Sequence, residues 1–599
     1  MLKPSVKASA LLISITLILT ALGASSSHGD ANIIDPNEGW ALPNSTGIVG
    51  SQNALFTESS GFATYSALVD NSKLRNRQVD PTCTSTSDVR CKFSSFDFKA
   101  QIPICQSAAD ANCIESIGAT DQNNKDYPGV FKSYYPNKAQ NEYLGNSAWN
   151  LPSGVSGSLF TIPGVSGPAG NLYYTSLVLS GSGNDQQTPK VTLTDVSASI
   201  SPVQLQDISS QFNENKRWCK SPGGICNDGW NFIDAAQNGN SVWGLSNGSG
   251  EDGIHNCVAA SWEENSCAQK EAFPSGFNFY LKARFTLPPT GWLHGRMFNP
   301  NISLTQSNGI TELVVNAAPV AVPTVFKAYL WKEMPPELQA LYDPTSGDYR
   351  YGSRGGGGGF TRTAGTRDPL ARAYTIAPAP FNPSAIPQLT AWLPSVNNTA
   401  AAVPHLWTFN SLSSDELASA NQCFTDPSQL NGIVTTNSTV YSPGPPTFDK
   451  AAGNLNYQVA APHFTNTGEV FTGTYDLVMR SPVARCVYGF STAPIKASVS
   501  VLSATGSPEV ATTVVGEKNG WLHLSANGFE FSAPTIAVNL TQDAPVVAPA
   551  PDVKTPASTP AVPVKTVIKK IVITCVKGKS SKSVTGLAPK CPSGFKLKK

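Results

Sequence analysis

Apolar and polar residues alternate along much of this chain with a period of two. Phe96, Phe98, Ala100, Ile102 and Ile104 are separated by Asp97, Lys99, Gln101 and Pro103. That period sends successive side chains to opposite faces and predicts a half-buried strand. Pro103 has no N–H to give a central ladder, so it predicts a sheet edge. The cleanest run is Phe277, Phe279, Leu281, Ala283, Phe285 and Leu287, with Asn, Tyr, Lys, Arg and Thr between them. Residues 171–180 and 326–331 predict further strands, as do the runs Ile495-Ala497-Val499-Val501 and Ile536-Val538-Leu540. In 191–200 the phase slips: Val191 and Leu193 share one face, Val196, Ala198 and Ile200 the other. One extra residue near Asp195 predicts a bulge. Asn519-Gly520 and Asn527-Gly528 predict hairpin turns flanking a short strand over 521–526, because Asn and Gly tolerate positive φ. One short helix is expected at 335–342, where Pro335-Pro336 starts it and Glu337, Leu338 and Leu341 fit its faces. Residues 349–372 read as a loop carrying glycines 355–359, and 375–405 as proline-rich extended chain.

The pattern contains a repeat. Gly291-Trp292-Leu293-His294 recurs as Gly520-Trp521-Leu522-His523, and each copy is followed by Leu-Thr-Gln, at 304–306 and 540–542. This predicts two related β regions. The expected fold is therefore mainly β, with two large antiparallel β-sandwich-like regions and disulfide-stapled loops. Region A covers 25–308 and region B covers 309–542. A Pro/Ala-rich linker follows at 543–564, stiff and extended by composition. A small basic module closes the chain at 565–599.

The first 24 residues change the picture most. Lys3 and Lys7 precede an uncharged run over 8–22, and Ala21-Leu22-Gly23-Ala24 offers small residues for cleavage. That is the pattern of a secretory signal peptide. The run is at or below the short end for a spanning helix, so no membrane anchor is expected after cleavage. An oxidising compartment makes the 12 cysteines a disulfide framework. Their spacing suggests neighbours: Cys83 with Cys91, Cys105 with Cys113, Cys423 with Cys486, Cys575 with Cys591. The same neighbour reading pairs Cys219 with Cys226 and Cys257 with Cys267, although this group could be crossed. Metal is not expected, because there is no Cys-x-x-Cys and no histidine pair at ligand spacing. No cofactor motif appears.

Charge is distributed unevenly. Of 42 basic residues, Lys3 and Lys7 lie in the leader and ten lysines in 565–599, regions without an acid. Residues 25–564 keep 30 basic residues against all 41 acids, a net of −11. An acidic, exported body makes nucleic acid a poor partner. The tail lysines Lys569, Lys570, Lys577, Lys579, Lys582, Lys590, Lys596, Lys598 and Lys599, with Lys565, suit an anionic cell-envelope polymer. A solubilising terminus is the plainer alternative.

Residues 218–267 form a Trp/Cys-rich insertion with Gly, Asn and Ser as filler. Trp218, Trp230, Trp243 and Trp262 have faces that stack on sugar rings, which makes a glycan the ligand class for this segment. The same residues also suit a disulfide-held mini-core, and both readings stay open. Gly244-Leu245-Ser246-Asn247-Gly248 matches a nucleophile-elbow string, with Asp252 and His255 behind it. No helix follows, as that chemistry requires, so the string is attributed to a glycine-rich loop. The arginines at 350, 354, 362, 367 and 372 are read as charges on a solvated loop.

Two stretches resemble a known group. Tyr475-Asp476-Leu477-Val478-Met479-Arg480, Ala484-Arg485-Cys486-Val487-Tyr488-Gly489-Phe490 and Asn519-Gly520-Trp521-Leu522 are similar to stretches of secreted actinobacterial surface proteins of unknown function. Ile573-Thr574-Cys575-Val576-Lys577-Gly578 and Pro589-Lys590-Cys591-Pro592-Ser593-Gly594-Phe595 resemble a basic two-cysteine module that ends exported proteins of that group. The resemblance covers roughly 475–542 and 565–599. It implies a secreted or surface location and no catalytic residues. The expected function is a non-enzymatic binding or surface protein retained by its basic tail. The contrasting expectation is a secreted carbohydrate-active hydrolase, whose acidic pair is spatial and not legible in sequence.

Overall fold

A computed structural model describes residues 35–40, 43, 48–58, 66–73, 82–137, 142–207, 230–233, 242–245, 257–261, 266–343, 345–348, 350–351, 359–360, 374–417, 420–490, 495–502, 508–509, 512–531, 535–542, 571–578, 580–586 and 589–598. The leader 1–24 and the linker 543–564 lie outside these residues. The chain divides into two compact units, Met1–Asp543 and Ala544–Lys599. It is mainly β, with antiparallel sheets and disulfides at Cys83–Cys91, Cys105–Cys113, Cys423–Cys486 and Cys575–Cys591. Cys267 is also disulfide-bonded; Cys219 and Cys226 lie outside the described residues. Among the described residues, no helix is long and apolar enough to cross a membrane.

A long central sheet organises the larger unit. Its strands run in the order Ala67–Asp70, Phe96–Gln101, Leu172–Gly183, Val191–Asp207, Thr408–Ser411, Gly291–Arg296, Leu430–Thr436, Thr472–Arg480, Trp521–Glu530 and Thr512–Lys518. Along this path the pairing of Gly291–Arg296 with Leu430–Thr436 is parallel and the other pairings are antiparallel. Two smaller sheets cover it. The first joins Phe298–Ser307, Ile310–Ala318, Phe277–Phe285, Cys113–Asp121 and Asp126–Pro128. The second joins Val440–Tyr441, Asn454–Ala460, Thr535–Gln542, Ile495–Leu502 and Pro508–Glu509.

Alternation along the shared strands sorts side chains between two cores. Leu293, Ile433, Val478 and Trp521 join Phe279, Leu281, Leu313 and Val315 under the first cover sheet. Their chain neighbours Trp292, Val434, Leu477, Met479 and Leu522 join Tyr457, Val499, Ile536 and Val538 under the second. The two sandwiches thus share one sheet and use its opposite faces. Position 308 is a turn: Asn308 and Gly309, at φ 53° and 76°, join two strands of the first cover sheet.

The repeated tetrapeptides occupy matching places. Each opens on a glycine with positive φ, 75° at Gly291 and 78° at Gly520. Each starts a central strand that is followed by a strand of a cover sheet, Phe298–Ser307 or Thr535–Gln542. Leu293 and Leu522 enter the core beneath their own copy's cover sheet, while Trp292 and Trp521 enter the opposite core.

The slip near Asp195 is a bulge: Ser180 pairs with Asp195 and Gly181 with Leu193, leaving Thr194 extra. Asn519-Gly520 is the hairpin turn that was expected. Asn527-Gly528 is not. Thr474 pairs with Asn527 and Gly473 with Phe529, so Gly528, at φ 77°, is the extra residue of a bulge within Trp521–Glu530. Positive φ serves a twist there instead of a reversal. The edge position read from Pro103 also fails, since Phe96–Gln101 pairs on both sides. Pro103 falls past the strand end, where its carbonyl accepts from Ile114 N at 2.8 Å. Residues 385–392 of the supposedly extended stretch form the helix Ala385–Trp392. Pro387 sits in its first turn, where an N–H has no intrahelical partner to lose. Leu389 and Trp392 pack there with Phe56, Val325 and Leu338.

Candidate functional site

The C-terminal unit carries the lysines singled out by composition. Ile571–Lys577 pairs with Ser580–Gly586 and with Lys596–Leu597. The Cys575–Cys591 bridge closes it, and Cys575 is fully buried. Val572 and Leu597 stay exposed, so apolar burial is slight and the covalent link takes the place of a core. Cys575 opposes Lys582, whereas Val576 opposes Lys596. Alternation therefore places Lys577 and Lys582 on one face and Lys596 on the other. Lys577, Lys582, Lys590, Lys596 and Lys598 are exposed. The Lys582 Nζ lies 5.7 Å from the Phe595 ring centroid. No acid in 565–599 neutralises them. Positive charge therefore lies on both faces of this small sheet. Lys565, Lys569, Lys570, Lys579 and Lys599 lie outside the described residues.

Of the four tryptophans, Trp218 and Trp262 also lie outside. Trp230–Ile233 and Val242–Leu245 form a two-stranded ladder in which Trp230 opposes Leu245 and Phe232 opposes Trp243. Ser246 of the elbow-like string lies outside the described residues, as do Asp252 and His255.

Sequence reasoning missed a charged cluster in the larger unit. Glu38, in the turn at 35–40, has a fully buried side chain whose Oε2 lies 2.8 Å from Lys270 Nζ. Its Oε1 accepts from His405 N at 2.6 Å and lies 3.1 Å from His405 Nδ1. Asn37 Oδ1 accepts from Val403 N at 3.1 Å. Glu271, next to Lys270, is 2 % exposed, and its Oε2 has no hydrogen-bond partner among the described residues. Burial first, then the Glu38 charge, push the Glu271 carboxyl up to about 7. Burial works against the Glu38 charge too, but Lys270 and the hydrogen bonds from His405 outweigh it and hold that carboxyl below its ordinary value. Two carboxyls driven apart in this way are a common basis for acid–base chemistry. The residues stand at 38, 270, 271 and 405, and no spacing in the chain marks them.

A second buried polar cluster lies against the second sandwich. Arg296 is 1 % exposed. Its Nε and Nη2 donate to Glu58 Oε2 at 2.8 and 2.6 Å, and its Nη1 donates to the carbonyls of Thr436 and Ser438 at 3.0 and 2.6 Å. The guanidinium lies 4.6 Å from the Tyr441 ring centroid, and His294 stacks on the same ring at 3.6 Å. Burial, reinforced by Arg296, drives His294 well below its ordinary pKa, so the ring is neutral. The Arg296 bonds pin the chain beyond Ser51–Phe56 to the second sandwich, while His294 Nε2 is buried without a hydrogen-bond partner among the described residues. No group of three or more His, Cys, Asp or Glu among the described residues is placed to hold a metal ion. The chain matches no protein-family model and no curated protein sequence.

Proposed function

We propose that this chain is a secreted or cell-envelope-associated, non-enzymatic binding protein, retained at an anionic envelope polymer by its C-terminal unit. The observation that carries the reading is the disulfide-closed sheet around Ile571–Lys577, with lysines exposed on both faces and no acid in 565–599. The leader pattern at 1–24 and the acidic balance of 25–564 support export and separate the basic tail from the rest. The tryptophan ribbon Trp230–Ile233/Val242–Leu245 is the part proposed to meet glycans.

The test compares the exported full chain with a chain ending at residue 564. The full chain is expected in the envelope fraction and is expected to wash off at about 1 M salt, where screening acts within ~3 Å. The shortened chain is expected in the medium. Equal partitioning of the two refutes the reading. The opposed carboxyls of Glu38 and Glu271 favour the hydrolase alternative chemically, but both are buried from solvent, which keeps a polymer from reaching them. Turnover of a wall or plant polysaccharide by the purified chain would reverse that judgement.

A further inference from the structure

Polar contacts around one carboxylate hold the turn at 35–40 to the body of the larger unit. Glu38 meets Lys270 at the end of the strand Ser266–Lys270 and His405 at the start of His405–Leu406. Asn37 receives Val403 N, and Gly39 N donates to Asp35 O at 2.8 Å within the turn. Trp40 adds an aromatic contact with Phe326, ring centroids 6.2 Å apart. Next to Lys270 in the chain is a second buried carboxyl, Glu271, which feels the Glu38 charge; its backbone N donates to Pro202 O and its Oε2 is left without a partner among the described residues. The charged and titratable groups converging here are Glu38 and Asp35 from the turn, Lys270 and Glu271 from the strand end, and His405. Lys270 pairs with Glu38, and Glu271 Oε2 is left buried without a partner among the described residues.

We propose that residues 35–40 form a pH-operated clip, closed on Lys270 and His405 in mildly acidic conditions and loosened at neutral pH when Glu271 becomes an anion beside Glu38. The two carboxyls act with opposite signs. Glu271 is raised from 4.5 to about 7 when the clip is closed, so it favours the closed form fully below pH 4.5 and loses that contribution as pH rises to about 7. Glu38 is lowered from 4.5, so its contribution is complete above pH 4.5 and fades only in stronger acid. Closure is therefore tightest near pH 4.5 to 5. Between there and pH 7 its equilibrium constant falls, by at most about tenfold per pH unit, then levels off. Opening frees Trp40 from Phe326 and exposes the ends of two strands, so the leading segment becomes available at neutral pH and sequestered in acid.

Hydrogen exchange of the full-length protein, corrected for the intrinsic pH dependence of amide exchange, tests this. The amides of Gly39, Val403 and His405 are the reporters, and those of Phe277–Phe285 the reference. Their protection is expected to fall at least tenfold between pH 5 and pH 7.5 while the reference holds. Glu271→Gln is expected to keep reporter protection high across that range. Glu38→Gln is expected to lose it at every pH. Constant reporter protection in the wild-type protein, or an undiminished pH dependence in Glu271→Gln, overturns the clip.

Discussion

Replacing Cys423 and Cys486 together by serine isolates the contribution of one cross-link to the second sandwich. The bridge joins residues 63 apart, from the 3-10 turn Gln422–Phe424 to the helix Ser481–Tyr488. Between them run the strands Leu430–Thr436, Asn454–Ala460 and Thr472–Arg480. In the chain-entropy treatment a loop of that length is worth about 4.3 kcal/mol, whereas the separation of 8 at Cys105–Cys113 gives about 2.5 kcal/mol. The expected excess is about 1.8 kcal/mol, roughly 20-fold in the local opening constant. Packing works in the opposite direction. Cys486 is exposed and Cys423 half-buried, while Cys113 is 2 % exposed. A larger loss at 423–486 therefore reflects the loop and not a cavity. Amide exchange in urea reads each bridge through the cover sheet of its own sandwich, Asn454–Ala460 and Thr535–Gln542 for one and Cys113–Asp121 and Phe277–Phe285 for the other. A loss at 423–486 equal to or smaller than that at 105–113 refutes the reasoning.

Glu58→Gln is expected to cost about 3 kcal/mol, because it leaves the Arg296 charge buried with carbonyl partners only. Combining it with Arg296→Met should recover part of that loss, which a double-mutant cycle in urea measures. Gly528→Ala meets nothing within 4 Å but sits at φ +77°. It is expected to cost about 1–2 kcal/mol through backbone strain alone, read as a lower urea midpoint. Gly516→Ala, on the paired strand and equally open, has no positive φ to strain and is expected to change stability little.

Several features could be read directly because their cause is local. The alternation in Phe277–Phe285, the phase slip at Thr194 and the turn at Asn519-Gly520 depend on a few adjacent residues. Three disulfide pairings were legible from close spacing because each closes a short local loop; Cys423–Cys486 spans 63 residues and followed only from sequence order. Asn527-Gly528 shows the limit of such reading. The dipeptide announces positive φ, but whether that becomes a turn or a bulge depends on whether partner strands flank it on both sides. The Pro103 reading failed similarly, since a strand's neighbours are not written in its own residues. Glu38, Lys270, Glu271 and His405 left no mark, because ionisable residues scattered over more than half the chain look like ordinary surface charge until folding buries them together.

The amino-acid sequence by itself determined a mainly β chain, its disulfide staples and a basic tail set apart from an acidic body, since period, cysteine spacing and net charge are properties of composition and local order. Only the tertiary structure decided that both sandwiches share one sheet, that Trp292 and Leu293 serve different cores, and that two carboxyls meet beside one lysine. Strand pairing brings distant residues within bonding range. Burial then changes the free energy of their charges, and neither effect can be summed along a chain before it folds.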